Sequence, residues 1–138
     1  MATSPSAAGE VVSAITDFVK AVNRSDQNDA LTRLTKDVSI LEDLAPYRWQ
    51  GPTAGAEWML AMHENAQRNA ISGIFMQLGR ATRVEVEGRH AYAIIEGHLS
   101  YNGARLLHSH GTLTFALVKE ERGWMISSFA WTGPVATL

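Results

Sequence analysis

The feature that most constrains this chain is a change of hydrophobic period near its middle. Up to about residue 71 the apolar residues recur at helical steps, and from residue 74 onward they alternate. Val11, Ile15, Phe18 and Val22 follow one another at steps of four, three and four, with Val12 and Val19 widening the stripe. That spacing predicts an amphipathic helix from Ala7 to Asn23 with one buried face. Asn23-Arg24-Ser25-Asp26 interrupts it and offers Ser25 or Asp26 as the cap of a short second helix running to about Leu34. Asp37 to Asp43, with Val38, Ile40 and Leu41, is a short β-prone run, and Ala45 to Gly51 reads as a loop. Gly51-Pro52 opens a third helix, because proline is tolerated at the first helical position. This helix is expected to reach about Ile71, with Trp58, Met59, Met62 and Ala66 on one side. Beyond Gly73, Ile74, Met76, Leu78, Thr82, Val84 and Val86 share one parity. Turn signals at Glu87-Gly88, Asn102-Gly103 and Arg122-Gly123 divide residues 74–132 into four antiparallel strands. Helices followed by a meander argue an α+β fold, with helices packed on one sheet face.

Composition narrows the function classes. A chain of 138 residues suits one domain, expected over residues 7–138 after a loose Ser- and Pro-containing tail at 1–6. The absence of cysteine removes thiol catalysis, zinc–thiolate sites and disulfides. With 12 basic and 14 acidic residues dispersed along the sequence, no basic face for nucleic acid is evident. No apolar run has the length a membrane helix needs. Met1 to Gly9 lacks the basic-then-apolar pattern of a secretory signal, so a cytoplasmic location is expected.

The order of elements resembles the nuclear transport factor 2-like superfamily, which includes ketosteroid isomerases, SnoaL-like polyketide cyclases and scytalone dehydratases. The resemblance spans about Val11 to Pro134. Its most specific parts are Ser39-Ile40-Leu41-Glu42-Asp43, followed by a loop and Trp49-Gln50-Gly51-Pro52, and Gly111-Thr112-Leu113-Thr114-Phe115, followed by Gly123-Trp124-Met125-Ile126 and Trp131. It implies a cone-shaped α+β barrel, three N-terminal helices on a strongly curved antiparallel sheet, enclosing an apolar pocket for a small apolar or aromatic molecule. It also implies isomerase, dehydratase or cyclase chemistry, and no cofactor. Asp43 stands where the isomerases carry their general base, so it is the expected acid/base residue. Core parity continuing from Ile40 would instead turn Glu42 inward, and Asp43 reaches the pocket only if the strand bends after Leu41. The isomerases' oxyanion tyrosine corresponds to Phe18 and their oxyanion aspartic acid to Gly111. Neither replacement has a side-chain donor, and one such donor is worth about 3–4 kcal/mol in an acyl-transfer enzyme. Ordinary ketosteroid isomerisation is therefore not expected. Tyr47, Ser128 or a water would have to assist Asp43.

The expected pocket lining is Phe18, Tyr47, Trp49, Trp58, Met62, Leu107, Ser109, Gly111, Leu113 and Ser128. For Trp58, Met59 and Met62, helical spacing is equally explained by plain core packing, and His63 flanks the same stripe. Glu96 and His98 depend on the register of the hairpin at Asn102-Gly103. A two-residue turn pairs Tyr101 with Ala104 and turns both into the pocket. One residue more pairs Leu99 with Leu107 and Ile95 with Gly111, and sends both outward to join His108 and His110. The second register separates apolar from polar residues better and is preferred. The outer face is then polar and histidine-rich, suited to a homodimer interface; no metal is expected there, because histidines beside Ser100, Thr112 and Thr114 serve an interface or solvent more often than a metal. A non-catalytic dimerisation or partner-docking domain is the alternative function.

Overall fold

A computed structural model describes residues 6–102 and 107–134. Among them are three helices, α1 (Ala7–Asn23), α2 (Gln27–Thr32) and α3 (Ala54–Arg68). The strands are β1 (Leu34–Leu41), β2 (Arg48–Gln50), β3 (Gly73–Glu87), β4 (His90–Asn102), β5 (Leu107–Glu120) and β6 (Gly123–Thr132). They form one sheet in the order β2-β1-β6-β5-β4-β3. The expected α+β architecture is present, with two differences. The β1–β6 pairing is parallel, so the sheet is mixed, and its end strands β2 and β3 do not pair, so it is not closed. Of the tail expected at 1–6, residues 1–5 lie outside the described residues; Ser6 caps α1, its hydroxyl accepting from the Gly9 N–H at 3.0 Å.

α1 keeps the predicted bounds because its stripe finds a core: Val11, Ile15, Phe18 and Val19 are buried. Each such side chain contributes roughly 1.5–3 kcal/mol on leaving water. Asp26 caps α2, accepting from the Asp29 N–H. Several boundaries shift: α2 ends at Thr32 rather than about Leu34, β1 runs Leu34–Leu41 rather than 37–43, and α3 ends at Arg68 rather than about Ile71. α3 starts at Ala54 behind Thr53 as its cap, so Pro52 precedes the helix. Arg48–Gln50, read as loop, forms β2, because Ile40 pairs with Trp49 and draws the indole into the core.

The inner face of the sheet can be read across four strands. Met76 pairs with Leu99 and Leu99 with Ser109. Ile95 pairs with Leu113 and Leu113 with Trp131, while Phe115 pairs with Phe129 and Phe129 with Ile40. Ile15, Phe18, Trp58, Leu113 and Phe115 lie in one core cluster, with Met62 packed half-buried against it. β3 does not hold a single parity. Its register shifts twice, between Leu78 and Ala81 and between Ala81 and Arg83. The inward series therefore runs Leu78, Ala81, Val84, and Thr82 is exposed. Two bulges cancel in parity while bending the strand.

Candidate functional site

A cavity of about 920 Å³ lies between α1, α3 and the inner face of the sheet, within the size range of small-molecule sites. Phe18, Trp58, Met59, Met62, Leu99, Leu113, Phe129 and Trp131 supply apolar walls, and Asn23, Ser25, Gln27, His63, Gln67 and Ser72 are among the polar residues around it. The aromatic wall is packed as a unit: Phe18 and Phe129 centroids are 5.3 Å apart, and Trp58 meets Phe129 edge-on at 5.1 Å. A smaller cavity of about 540 Å³ lies by α2, β1 and the β5–β6 turn. Its charged lining residues Lys36, Asp37, Glu120 and Arg122 are all exposed, so no acid or base there is desolvated.

The acid that lines the large cavity is Glu42. This corrects the expectation for Asp43, which is exposed and does not line it. The reason is strand parity. Val38 and Ile40 are buried, and the Glu42 N–H donates to the Tyr47 carbonyl at 3.1 Å, carrying the β1–β2 pairing one residue past Leu41. The required bend falls after Glu42, so Glu42 takes the inward position and Asp43 the outward one. Burial, reinforced by the neighbouring charge of Asp43, pushes the Glu42 carboxyl up to about 7. The indole N–H of Trp58 acts in the opposite direction and more weakly. It stops short of hydrogen-bond geometry, since Trp58 Nε1 is buried without a partner. Tyr101, on the inner face opposite Ile74, is also shifted upward, first by burial and then by the charges of Asp43 and Glu42. Two carboxyls, an indole N–H and a phenol thus share one electrostatic neighbourhood.

Phe18, Trp58, Met62 and Leu113 line the cavity. Of the other expected lining residues, those whose side chains are described do not. Tyr47 is 60% exposed, at a positive φ of 73° in the turn between β1 and β2. Trp49 is buried behind Ile40 in the core. Ser128 pairs with Ala116 and Ser39 next to inward-facing Phe129, which puts it on the outer face. Ser109, opposite Leu99, has the inner parity without lining the cavity. Gly111 has that parity too but is covered: a Cβ there would meet the Trp131 ring at 2.6 Å. Gly97 pairs with Gly111, and the two leave the trough that receives the Trp131 indole. The side chain of Leu107 lies outside the described residues, as does Gly103 of the expected turn.

The hairpin register has Tyr101 opposite Leu107, Leu99 opposite Ser109 and Glu96 opposite Thr112. It is displaced by two residues from the preferred register, so the individual pairs differ while the faces remain as expected. Glu96 and His98 point outward, where His98 Nε2 lies 3.1 Å from His108 Nδ1 and the His98 ring stacks on His110 at 4.2 Å. Among the described residues no group of three or more His, Cys, Asp or Glu is arranged to hold a metal ion, and no helix is long and apolar enough to cross a membrane. Glu42, Tyr101 and Trp131 were not singled out as site residues from sequence; alternation from Ile40 was the one signal that could have found Glu42.

No family model matches this chain, and no curated protein matches it in sequence. Its shape is widely shared. A ketosteroid isomerase-like protein from Erwinia carotovora atroseptica superposes with a TM-score of 0.74 at 14% identity, over 94% of this chain and 97% of its own. An NTF2-like protein from Pseudomonas putida gives 0.77 at 17% identity, over 98% and 92%. A candidate dehydratase of the NTF2-like family from Streptomyces avermitilis gives 0.77 at 18%, over 94% and 96%. The chain therefore has the nuclear transport factor 2-like fold. That fold hosts many activities, so function has to be argued from the site.

Proposed function

We propose that this protein binds a small apolar or aromatic molecule in the large cavity and moves a proton on it with the carboxyl of Glu42, in an isomerase-, dehydratase- or cyclase-type reaction. The observation that carries this reading is a carboxyl held at about 7 on the wall of an aromatic cavity. Proton transfer is most efficient when the catalytic group titrates near the working pH, because it then accepts and returns a proton with comparable ease. Asp43 contributes through its charge, which raises Glu42, rather than by touching the ligand. With Phe18 and covered Gly111 offering no donor, the lining group beside Glu42 that can give a hydrogen bond to a ligand oxygen is Trp58 Nε1, after a small rotation; the Tyr101 phenol couples to Glu42 by charge without lining the cavity.

The test is exchange of the acidic carbon-bound hydrogens of an aryl ketone in deuterated water, followed by NMR. The wild type is expected to accelerate exchange, Glu42→Gln to lose at least about 100-fold of it, the usual contribution of a general base, and Asp43→Asn to lose far less. Equal loss in both variants, or loss only in Asp43→Asn, contradicts the assignment.

A second reading concerns assembly. The outer sheet face carries exposed Phe75 beside the cluster of His98, His108 and His110, and exposed Tyr92 farther along β4. An exposed apolar and imidazole-rich face supports a homodimer in which the same patch serves both subunits.

A further inference from the structure

The charges around the large cavity are one-sided. Glu42 lines it and Asp43 adjoins it; among the described residues neither carboxylate is in an ion pair. The described lining residues include no Lys or Arg. Arg24, next to the lining residue Ser25, is bound to Asp26 and Asp29. Aromatic walls do not compensate. A ring presents a negative face, which attracts cations and repels anions, and Phe18, Trp58, Phe129 and Trp131 surround this space. The thioethers of Met59, Met62 and Met76 are polarisable but uncharged. A carboxylate or phosphate placed here would lose its water and meet a negative neighbour, with no Lys or Arg among the described lining residues to pair it and only His63 there able to become cationic.

We infer that the cavity selects its ligand by charge: it admits aromatic molecules that are neutral or positively charged, a cationic nitrogen strengthening binding, and turns away carboxylates and phosphate esters. This rests on the reading of the cavity as a ligand site and adds to it the class of molecule it takes. The cation's advantage depends on ionised Glu42. It is full above the Glu42 titration and falls, as the pH drops through it, to the smaller part the aromatic walls supply. Asp43 and Tyr101 are the titratable groups whose charges couple to Glu42, and His63 on α3 lines the same cavity. His63 becoming positive would act in the same direction as Glu42 becoming neutral, so the two have to be separated by substitution.

The experiment uses three probes that share one naphthylmethyl group: naphthylmethyl-trimethylammonium, naphthylmethanol and naphthylacetate. The first carries a fixed charge, so any pH dependence of its binding comes from the protein. Affinities are read by calorimetry and by quenching of tryptophan fluorescence at about pH 8 and about pH 5.5, on either side of the usual range of a raised carboxyl. At the higher pH the cation is expected to bind at least about tenfold more tightly than the alcohol, and the carboxylate at least about tenfold more weakly, each a step of roughly one pKa unit in linkage. At the lower pH the cation's advantage should shrink to a few-fold. Glu42→Gln should erase the pH dependence while still binding the alcohol, which also shows that the variant is folded; His63→Gln should keep it. Carboxylate binding equal to or tighter than the alcohol overturns the charge selection and leaves the cavity standing as a site. Binding of none of the three removes the ligand-site reading itself.

Discussion

Glu42 shows what one residue of parity decides. The acidic pair Glu42-Asp43 is visible in the sequence, and so is the alternation of Val38 and Ile40 that assigns the inward place to the first of the two. Resemblance to the isomerases favoured the second. What the sequence did not reveal is that the Tyr47 carbonyl receives the Glu42 N–H and delays the bend by one residue. Two consequences can be measured. Because the folded pKa of this acid is raised from 4.5 to about 7, the native state holds the proton more tightly than the unfolded chain does. Its contribution is favourable below the unfolded pKa and is lost as pH rises towards 7. Glu42→Gln should therefore be more stable than the wild type near pH 8, by on the order of 2 kcal/mol, and nearly equal to it near pH 4. Urea unfolding of both proteins at the two pH values checks this, and a pH-independent difference would contradict it. Trp58 acts on the same group. Its N–H lowers the Glu42 pKa, so Trp58→Phe, which keeps the aromatic wall, should move the Glu42 midpoint upward; an unchanged or lower midpoint would remove Trp58 from that role.

At the level of elements, long periodic segments were legible and short or bulged ones were not. α1 was readable to the residue because its stripe meets a core along its whole length. β2 was not, since three residues carry no periodicity and only the partner strand defines them. In β3, six residues of one parity conceal two bulges whose offsets cancel, so Thr82 is exposed while its neighbours in the series point inward. One contact ties α1 to this strand: the Asn23 side chain donates to the Met76 carbonyl at 2.8 Å and accepts from the Met76 N–H at 2.9 Å. Asn23 and Met76 both line the cavity, so this pair fixes the spacing of its walls. Asn23→Ala should cost about 1–3 kcal/mol for two lost hydrogen bonds, measured by thermal or urea unfolding, with faster hydrogen exchange at the Met76 amide. Full protection there would show that the clamp is dispensable. The trough at Gly97 and Gly111 gives a steric counterpart. A Cβ at Gly111 would lie 2.3 Å from the Thr132 carbonyl oxygen, and Gly111→Ala should destabilise by about 1–3 kcal/mol as strand and indole move apart. The sequence showed the glycine but not the tryptophan above it, because that contact joins strands through the register.

For the whole molecule, the period change near residue 71 was enough to imply helices on one face of a sheet. It left open how the sheet ends, and the parallel β1–β6 pair is a long-range contact that no local pattern announces. The face away from the helices bears on assembly. There the His98 pKa is lowered, by loss of hydration and then by His110 and His108. Around these rings stand Glu96, in an ion pair with Arg80 at 3.8 Å, and the hydroxyl of Ser100. If two copies meet on this face, acid should separate them, because protonating clustered imidazoles places like charges in the contact. Light scattering is expected to give a dimer mass at about pH 8 and a monomer mass at about pH 5. A monomer at both would remove this face as a self-interface.

The central claim, a proton-sharing carboxyl inside an aromatic cavity, is tested most directly by a carbon-13 NMR titration of the Glu42 side-chain carboxyl, alone and with the cationic naphthyl probe. The account predicts a midpoint near 7 in the free protein and a fall when the cation binds. A midpoint at the unperturbed glutamate value of about 4.3, unmoved by the probe, would contradict it.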